Sequence, residues 1–263
     1  MKVGIIGCGF IGSEIAEFID RDKHFKLIGL NDIYKNKANS LAGNLKNNKP
    51  KFMELDNLIK KCDLIIESAT KSVVETILKN ENLDKKDKKL LVMSTGGLIN
   101  ILNLLNKIKN CEILLPSGAI AGLDAIKSVS GKIKSLTLTT TKPIKGLAGA
   151  PYIIKNDINL ESLKGKKIIF QGALKDAVDG FPQNINVAAT LFLASKFNDI
   201  KVKIIADPNA KYNTHEIEAT GDFGMIKNIT NNLPSKNPRT SYLALLSAIQ
   251  AIKNLKDNLK IGT

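Results

Sequence analysis

Two periods of apolar positions run along this chain, and the point where one gives way to the other divides it. Up to Pro116, short apolar runs at residues 2–7, 25–31, 63–67, 89–93 and 112–115 read as buried strands. Between them, residues 13–20, 55–61, 73–83 and 99–109 carry apolar side chains at helical spacing. Strands alternating with helices predict a parallel sheet covered on both faces. Beyond Pro116 the texture changes, because residues 134–141 alternate apolar side chains with threonines and further strand candidates follow at 166–172, 201–206, 214–220 and 225–230. Alternation of period two predicts a mixed or antiparallel sheet with one face packed by helices, here residues 119–129, 173–178 and 187–197. A last helix, from Ser241 to about residue 259, places Tyr242, Leu245, Leu246, Ile249, Ile252 and Leu255 on one stripe, with Thr240 or Ser241 as its cap. That stripe is predicted to pack back on the first half.

The first strand runs straight into Gly7-Cys-Gly-Phe-Ile-Gly12 and then a helix, and Asp32 ends the second strand 20 residues after Gly12. A bare glycine triplet is weak evidence, but strand, glycine turn, helix and a later acidic residue together are the context that dinucleotide binding requires. Gly7 permits the tight turn, Gly9 lets the backbone approach a pyrophosphate, and Gly12 allows close helix packing, with Phe10 and Ile11 opening the helix at the anion. Asp32 suits the ribose hydroxyls of NAD, while Lys35 and Lys37 beside Tyr34 are placed to meet the extra phosphate of NADP, so the expectation is NAD or NADP. The predicted fold class is therefore α/β: a Rossmann-type doubly wound parallel sheet over residues 1–117, completed by 238–263. A second α/β domain over 118–237, with a mixed or antiparallel sheet, is expected to carry substrate binding, catalysis and dimerisation.

Composition changes this picture little. The net charge of +14 comes from 39 Lys plus Arg against 25 Asp plus Glu. Only Arg21 and Arg239 are arginines and 26 asparagines accompany the lysines, a compositional bias with no interleaving of aromatics. Nucleic-acid binding is not expected, since arginine is the usual base reader. Cys8, Cys62 and Cys111 are odd in number and far apart, so no disulfide framework and no metal site is expected. No apolar run approaches the length of about 20 residues needed to cross a bilayer, and no charged-then-apolar leader precedes the first strand, so a cytoplasmic protein is expected.

Of the two histidines, His24 reads as a surface residue. His215 shares a predicted sheet face with Ile217 and Ala219, a pattern that suits a packed histidine and a catalytic one equally. Proton movement near neutral pH favours the second, because histidine is the side chain that titrates there. Small or polar residues stand at strand ends in Ser94–Gly97, Pro116–Ala119 and Thr139–Pro143, and the first two are placed where an open parallel sheet binds ligands. The Ser117-Gly-Ala119 turn is expected to open a helix and offer its N–H groups to a carboxylate. Asn184 or Asn186, after Gly180-Phe-Pro, either caps the next helix or reaches a cofactor. Arg239, followed by Thr240 and Ser241, offers a carboxylate fork.

Taken in order, Gly7–Gly12, Ser117–Ala119, Thr139–Pro143, Gly180–Ala189, Asp207-Pro208, Asn213-Thr-His215, Gly221–Gly224 and Asn237–Ser241 resemble the motif series of the L-aspartate dehydrogenase family, from first strand to last helix. The resemblance implies oxidation of L-aspartate with NAD or NADP to iminoaspartate, the substrate of quinolinate synthase in NAD biosynthesis, or its hydrolysis to oxaloacetate and ammonia. It implies a homodimer, His215 as the catalytic histidine, and Ala119 and Asn186 as nicotinamide contacts. A dicarboxylate then needs two sockets, for which Lys142 and Arg239, assisted by Ser117 and Thr240, are the candidates. The alternatives are a dihydrodipicolinate reductase-like or homoserine dehydrogenase-like enzyme acting on another acid, and a non-catalytic nicotinamide-binding redox sensor.

Overall fold

A computed structural model of the chain describes residues 1–182, 185–233, 235, 241–259 and 261. Two units emerge, Met1–Pro116 with Leu245–Asn258 and then Ser117–Ala244 with Leu259–Thr263. The first contains β1 (Lys2–Ile6), α1 (Phe10–Arg21), β2 (Lys26–Asn31), α2 (Lys35–Asn44), β3 (Lys51–Phe52), α3 (Leu55–Lys61), β4 (Leu64–Glu67), α4 (Lys71–Leu78), β5 (Lys89–Val92), α5 (Leu102–Leu105) and β6 (Glu112–Leu114). All its strands pair in parallel, in the order β3-β2-β1-β4-β5-β6, the Rossmann-type doubly wound arrangement. The order reverses between β1 and β4, so the turn after β1 stands at the switch point where such sheets bind ligands.

Alternation within β1 assigns the two faces of this sheet. Val3 and Ile5 join a buried cluster with Ile15, Ala16 and Ile19 of α1, whereas a Cβ on Gly4 would strike Leu58 of α3 at 2.5 Å. The same cluster takes in Leu245, Ala248 and Ile252, the inner stripe of the last helix.

The second unit contains α6 (Leu123–Ser128), β7 (Ile133–Lys142), α7 (Pro151–Lys155), β8 (Lys167–Ala173), α8 (Leu174–Gly180), α9 (Asn186–Ser195), β9 (Lys201–Ala206), β10 (Asn213–Gly221) and β11 (Gly224–Asn232), and α10 (Tyr242–Asn254) then returns to the first unit. Its sheet is mixed, ordered β11-β10-β7-β9-β8, with β7 and β9 parallel and the other pairs antiparallel.

Two local expectations fail for physical reasons, and one helix, α2, was not expected. Residues 99–109 form one 3₁₀ turn and the single-turn α5, because Ile101 (φ −128°, ψ 30°) leaves the helical region. The expected helix at 119–129 begins only at Leu123, after Gly118 and Gly122 adopt φ of +66° and +75°. Helix α2 carries only Ala38 and Leu41 as buried residues, too faint a stripe to read. All three cysteines are buried and free. Among the described residues no helix is long and apolar enough to cross a membrane.

Candidate active site

The glycine turn assigns a different task to each glycine. Gly7 holds φ at +94° and donates its N–H to Asn31 O at 2.8 Å; a Cβ there would meet the Ser68 carbonyl at 2.7 Å. At Gly12 a Cβ would stand 1.9 Å from Gly7 O. Gly9 is the opposite case, since nothing lies within 4 Å of where its Cβ would be. Gly9 is also the N-cap of α1 and has no side chain to cap it, which leaves the first N–H groups for a ligand. Open space at Gly9 beside two glycines required by packing is the cradle a pyrophosphate fits. Phe10 and Ile11 are half-buried against the core beneath it.

Asp32 closes this turn from the side. Its Oδ2 accepts from Cys8 N–H at 2.8 Å and its Oδ1 from Tyr34 N–H at 2.9 Å. The Cys8 thiol is pushed up to about 12, mainly by burial and then by Asp32, which excludes a thiolate nucleophile. Lys35 lies over the Phe52 ring at 5.0 Å and Lys37 over the Tyr34 ring at 4.8 Å, both exposed. At the ends of β4 and β5, Glu67 is fully buried and bonded to the Ser94 turn. In the sequence Glu67 looks like one more strand residue.

A polar cluster marks one end of the second sheet. On the inward face of β10 lie Asn213, His215, Ile217 and Ala219, while Glu216 and Glu218 point the other way and both pair with Lys227. His215 is 3% exposed and stands opposite Thr140 of β7, whose Oγ1 is 3.0 Å from Nδ1. Two residues along the same face, Lys142 ends β7 and is also buried. Burial, then the Lys142 charge, pushes the His215 imidazole down to about 3, and burial brings the Lys142 ammonium down to about 8. His215 is thus neutral at physiological pH and Lys142 predominantly charged.

Asn232 completes this end. Its Nδ2 faces Ala119 O at 2.9 Å, Asn213 O at 3.3 Å and Thr230 O at 3.5 Å, a surrounding that fixes which way the amide points. Its Oδ1 is left without a partner. Asn232 therefore anchors the Ala119 turn to the sheet, a role that the sequence pattern does not signal.

The remaining candidates divide. Ser117 is half-buried and Ala119 buried, but their turn does not open a helix; the left-handed Gly118 and Gly122 delay α6 to Leu123. Asn186 is the exposed first residue of α9, not its cap, which is Ile185. The segment before α9 is held by Phe181, which stacks on Tyr152 at 5.3 Å and meets Phe170 edge-on at 5.6 Å. Asn184, Arg239 and Thr240 lie outside the described residues. His24 is exposed beside Asp22. Among the described residues no three His, Cys, Asp or Glu side chains gather as metal ligands.

Comparison with known proteins covers the whole chain. The family model for the C-terminal part of aspartate dehydrogenase matches residues 124–255, and that for the NAD binding domain of homoserine dehydrogenase matches residues 7–112. The L-aspartate dehydrogenase of Methanosarcina acetivorans is 43% identical over 272 residues, and that of Methanococcus maripaludis 42% identical over 275, each covering 100% of both chains. The crystal structure of aspartate dehydrogenase from Thermotoga maritima matches with a TM-score of 0.76 at 25% identity, over 100% of this chain and 99% of that one.

Proposed function

Because the chain belongs to the L-aspartate dehydrogenase family, we propose that it oxidises L-aspartate to iminoaspartate with NAD or NADP. The observation that carries this reading is the buried end of the second sheet, where a neutral histidine and a buried lysine share one face. In a purely structural sheet those positions would be apolar.

Gly7, Gly9, Phe10, Ile11 and Gly12 would hold the pyrophosphate at the start of α1, Asp32 would take the ribose hydroxyls, and Ala119 and Asn186 would be the residues for the nicotinamide. Bound nicotinamide supplies the chemistry of accepting a hydride from the substrate α-carbon. The chain must then deal with the proton. Nδ1 of His215 lies 3.0 Å from Thr140 Oγ1; in the tautomer that carries its proton on Nδ1 and donates it to that hydroxyl, Nε2 is the atom that takes a proton from the substrate ammonium. Only the neutral amine can push its electron pair toward the imine. Burial is the main cause that depresses His215 and the Lys142 charge the lesser; Lys142 binds one carboxylate, and this pairing offsets that lesser part, so the base strengthens when substrate is in place. Ser117, Arg239 and Thr240 receive the second carboxylate. Iminoaspartate then leaves for quinolinate synthase or hydrolyses to oxaloacetate and ammonia, and the working form is a cytoplasmic homodimer.

The test is formation of NADH or NADPH when the purified protein is offered L-aspartate, with L-glutamate, L-alanine and L-homoserine as controls. A kcat/KM for aspartate at least about a hundredfold above the controls is expected. Preference for another acid, or no turnover with either cofactor, overturns the reading.

A further inference from the structure

Glu67 is the last residue of β4 and wholly buried, at the carboxyl end of the parallel sheet. A buried carboxyl is costly unless it is bonded, and this one accepts three bonds. Its Oε1 takes Ala69 N–H at 2.8 Å and the Ser94 hydroxyl at 2.8 Å, and its Oε2 takes Ser94 N–H at 2.9 Å. Two of the donors are backbone N–H groups, which can only donate and so call for an acceptor at both oxygens. The single side chain thereby joins the turn after β4 to the turn after β5.

The first of these turns carries the glycine loop on its back. Ser68, between Glu67 and Ala69, donates its hydroxyl to Gly7 O at 2.9 Å. A Cβ on Gly7 would be 2.8 Å from Ala69 Cα, and one on Gly12 would be 2.8 Å from Ser68 Oγ. On the far side a Cβ on Gly97 would be 2.8 Å from Lys71 O, so the Ser94–Gly97 turn has no slack against the start of α4. Ala69 and Ser68 thus stand directly against Gly7 and Gly12, and Glu67 ties them to the Ser94 turn.

We propose that Glu67 is a positioning residue for the dinucleotide, its carboxyl clamping the two turns so that Ser68 and Ala69 hold the Gly7–Gly12 loop in its binding shape. This rests on the reading of that loop as the cofactor site. A plain structural anchor is available for contrast. Asp20, at the other end of α1, accepts Lys46 N–H at 2.9 Å and Asn48 N–H at 2.6 Å. It holds a loop in the same manner, away from the glycine turn.

The experiment compares Glu67→Gln, Ser94→Ala and Asp20→Asn with the wild-type chain. Calorimetric titration gives Kd for NADH and NADPH, melting gives stability, and steady-state rates separate KM for the cofactor from kcat. Glutamine keeps the size, but whichever way its amide lies an N–H must face a backbone N–H, that of Ser94 or that of Ala69, so one of the three bonds is lost and the clamp is loosened. Glu67→Gln is expected to raise Kd about tenfold or more, with kcat at saturating cofactor within about threefold of wild type. Ser94→Ala should raise Kd about threefold and decides the matter if Glu67→Gln does not fold. Asp20→Asn should lower the melting temperature with Kd within about twofold. An unchanged Kd in the Glu67 and Ser94 variants, or a rise that Asp20→Asn matches, overturns the proposal. A wild-type chain that binds neither dinucleotide overturns the cofactor reading and this inference with it, whereas wild-type binding equalled by the variants overturns the inference alone.

Discussion

The two units present their chemistry in contrasting ways. In the first, the central strands are buried on both faces and only their ends are available, so the proposed cofactor site is made of backbone: N–H groups at the start of α1, an open space at Gly9 and one carboxylate at Asp32. In the second, the groups stand on the strands themselves, as Thr140, Lys142 and His215 on one inward face. A backbone site depends on what is missing, a side chain that must not be there. A side-chain site depends on what is present, and on burial to tune it. Substitutions that separate binding from turnover, and space from charge, can break this contrast.

The largest effect belongs to the side-chain site. His215→Ala should lower kcat by about 10²–10⁴, the usual worth of a positioned acid–base group, with cofactor Kd unchanged by titration. Turnover retained within a few fold would leave the second unit without its base. The first unit is tested by two glycines a few residues apart. Gly12→Ala forces a Cβ toward a carbonyl at 1.9 Å and should cost roughly 3 kcal/mol of stability by urea unfolding. Gly9→Ala meets nothing in the fold and should leave the melting temperature alone while raising cofactor Kd about 10–100-fold. If both variants lose stability and affinity together, the glycine turn is one packed unit and the division of tasks fails.

Acid sharpens the contrast further. The folded His215 titrates near 3 against 6.5 for a histidine in water, so between those values the unfolded chain holds the extra proton. Stability from this group is complete above about 6.5 and is lost as pH falls, by about 5 kcal/mol at most once pH reaches 3. Between pH 7 and pH 4.5, unfolding free energies from urea titrations should fall by roughly 2–3 kcal/mol more in the wild-type chain than in His215→Gln. The smallest change concerns Lys142, whose folded value of about 8 lies below 10.5, so at pH 7 the fold carries the full cost of a buried ammonium. Lys142→Met should raise KM for aspartate about tenfold while the melting temperature holds or rises. A lower melting temperature with unchanged KM would make Lys142 a structural residue.

The same contrast decided what the sequence could reveal. Gly7, Gly9, Gly12 and Asp32 are legible because backbone sites demand a fixed spacing of special residues, and the strands around them are short, dense and apolar. The inward face of β10 was legible too, since alternation alone sets His215 with Ile217 and Ala219. Partners across strands were not: Thr140 meets His215 through a register between segments 75 residues apart. Glu67 and Asn232 escaped for the same reason, each looking like an ordinary strand-end residue until distant turns fold onto it. The late start of α6 turns on the backbone angles of two glycines, which no apolar pattern encodes.

Helix α10 has a consequence for how the protein is made. Leu245, Ala248 and Ile252 fill the same core as Val3, Ile5 and Ile15, so the first unit is assembled from both extremities of the chain. During synthesis, its amino-terminal portion leaves the ribosome long before the helix that seals it. At about 5–20 residues per second, the stretch from 117 to 252 leaves that apolar surface open for roughly 7–27 seconds. The second unit, whose whole sheet lies within the unbroken stretch Ser117–Ala244, can finish that sheet first even though it is translated second. A stop codon just before α10 would therefore be felt most by the half of the protein made earliest.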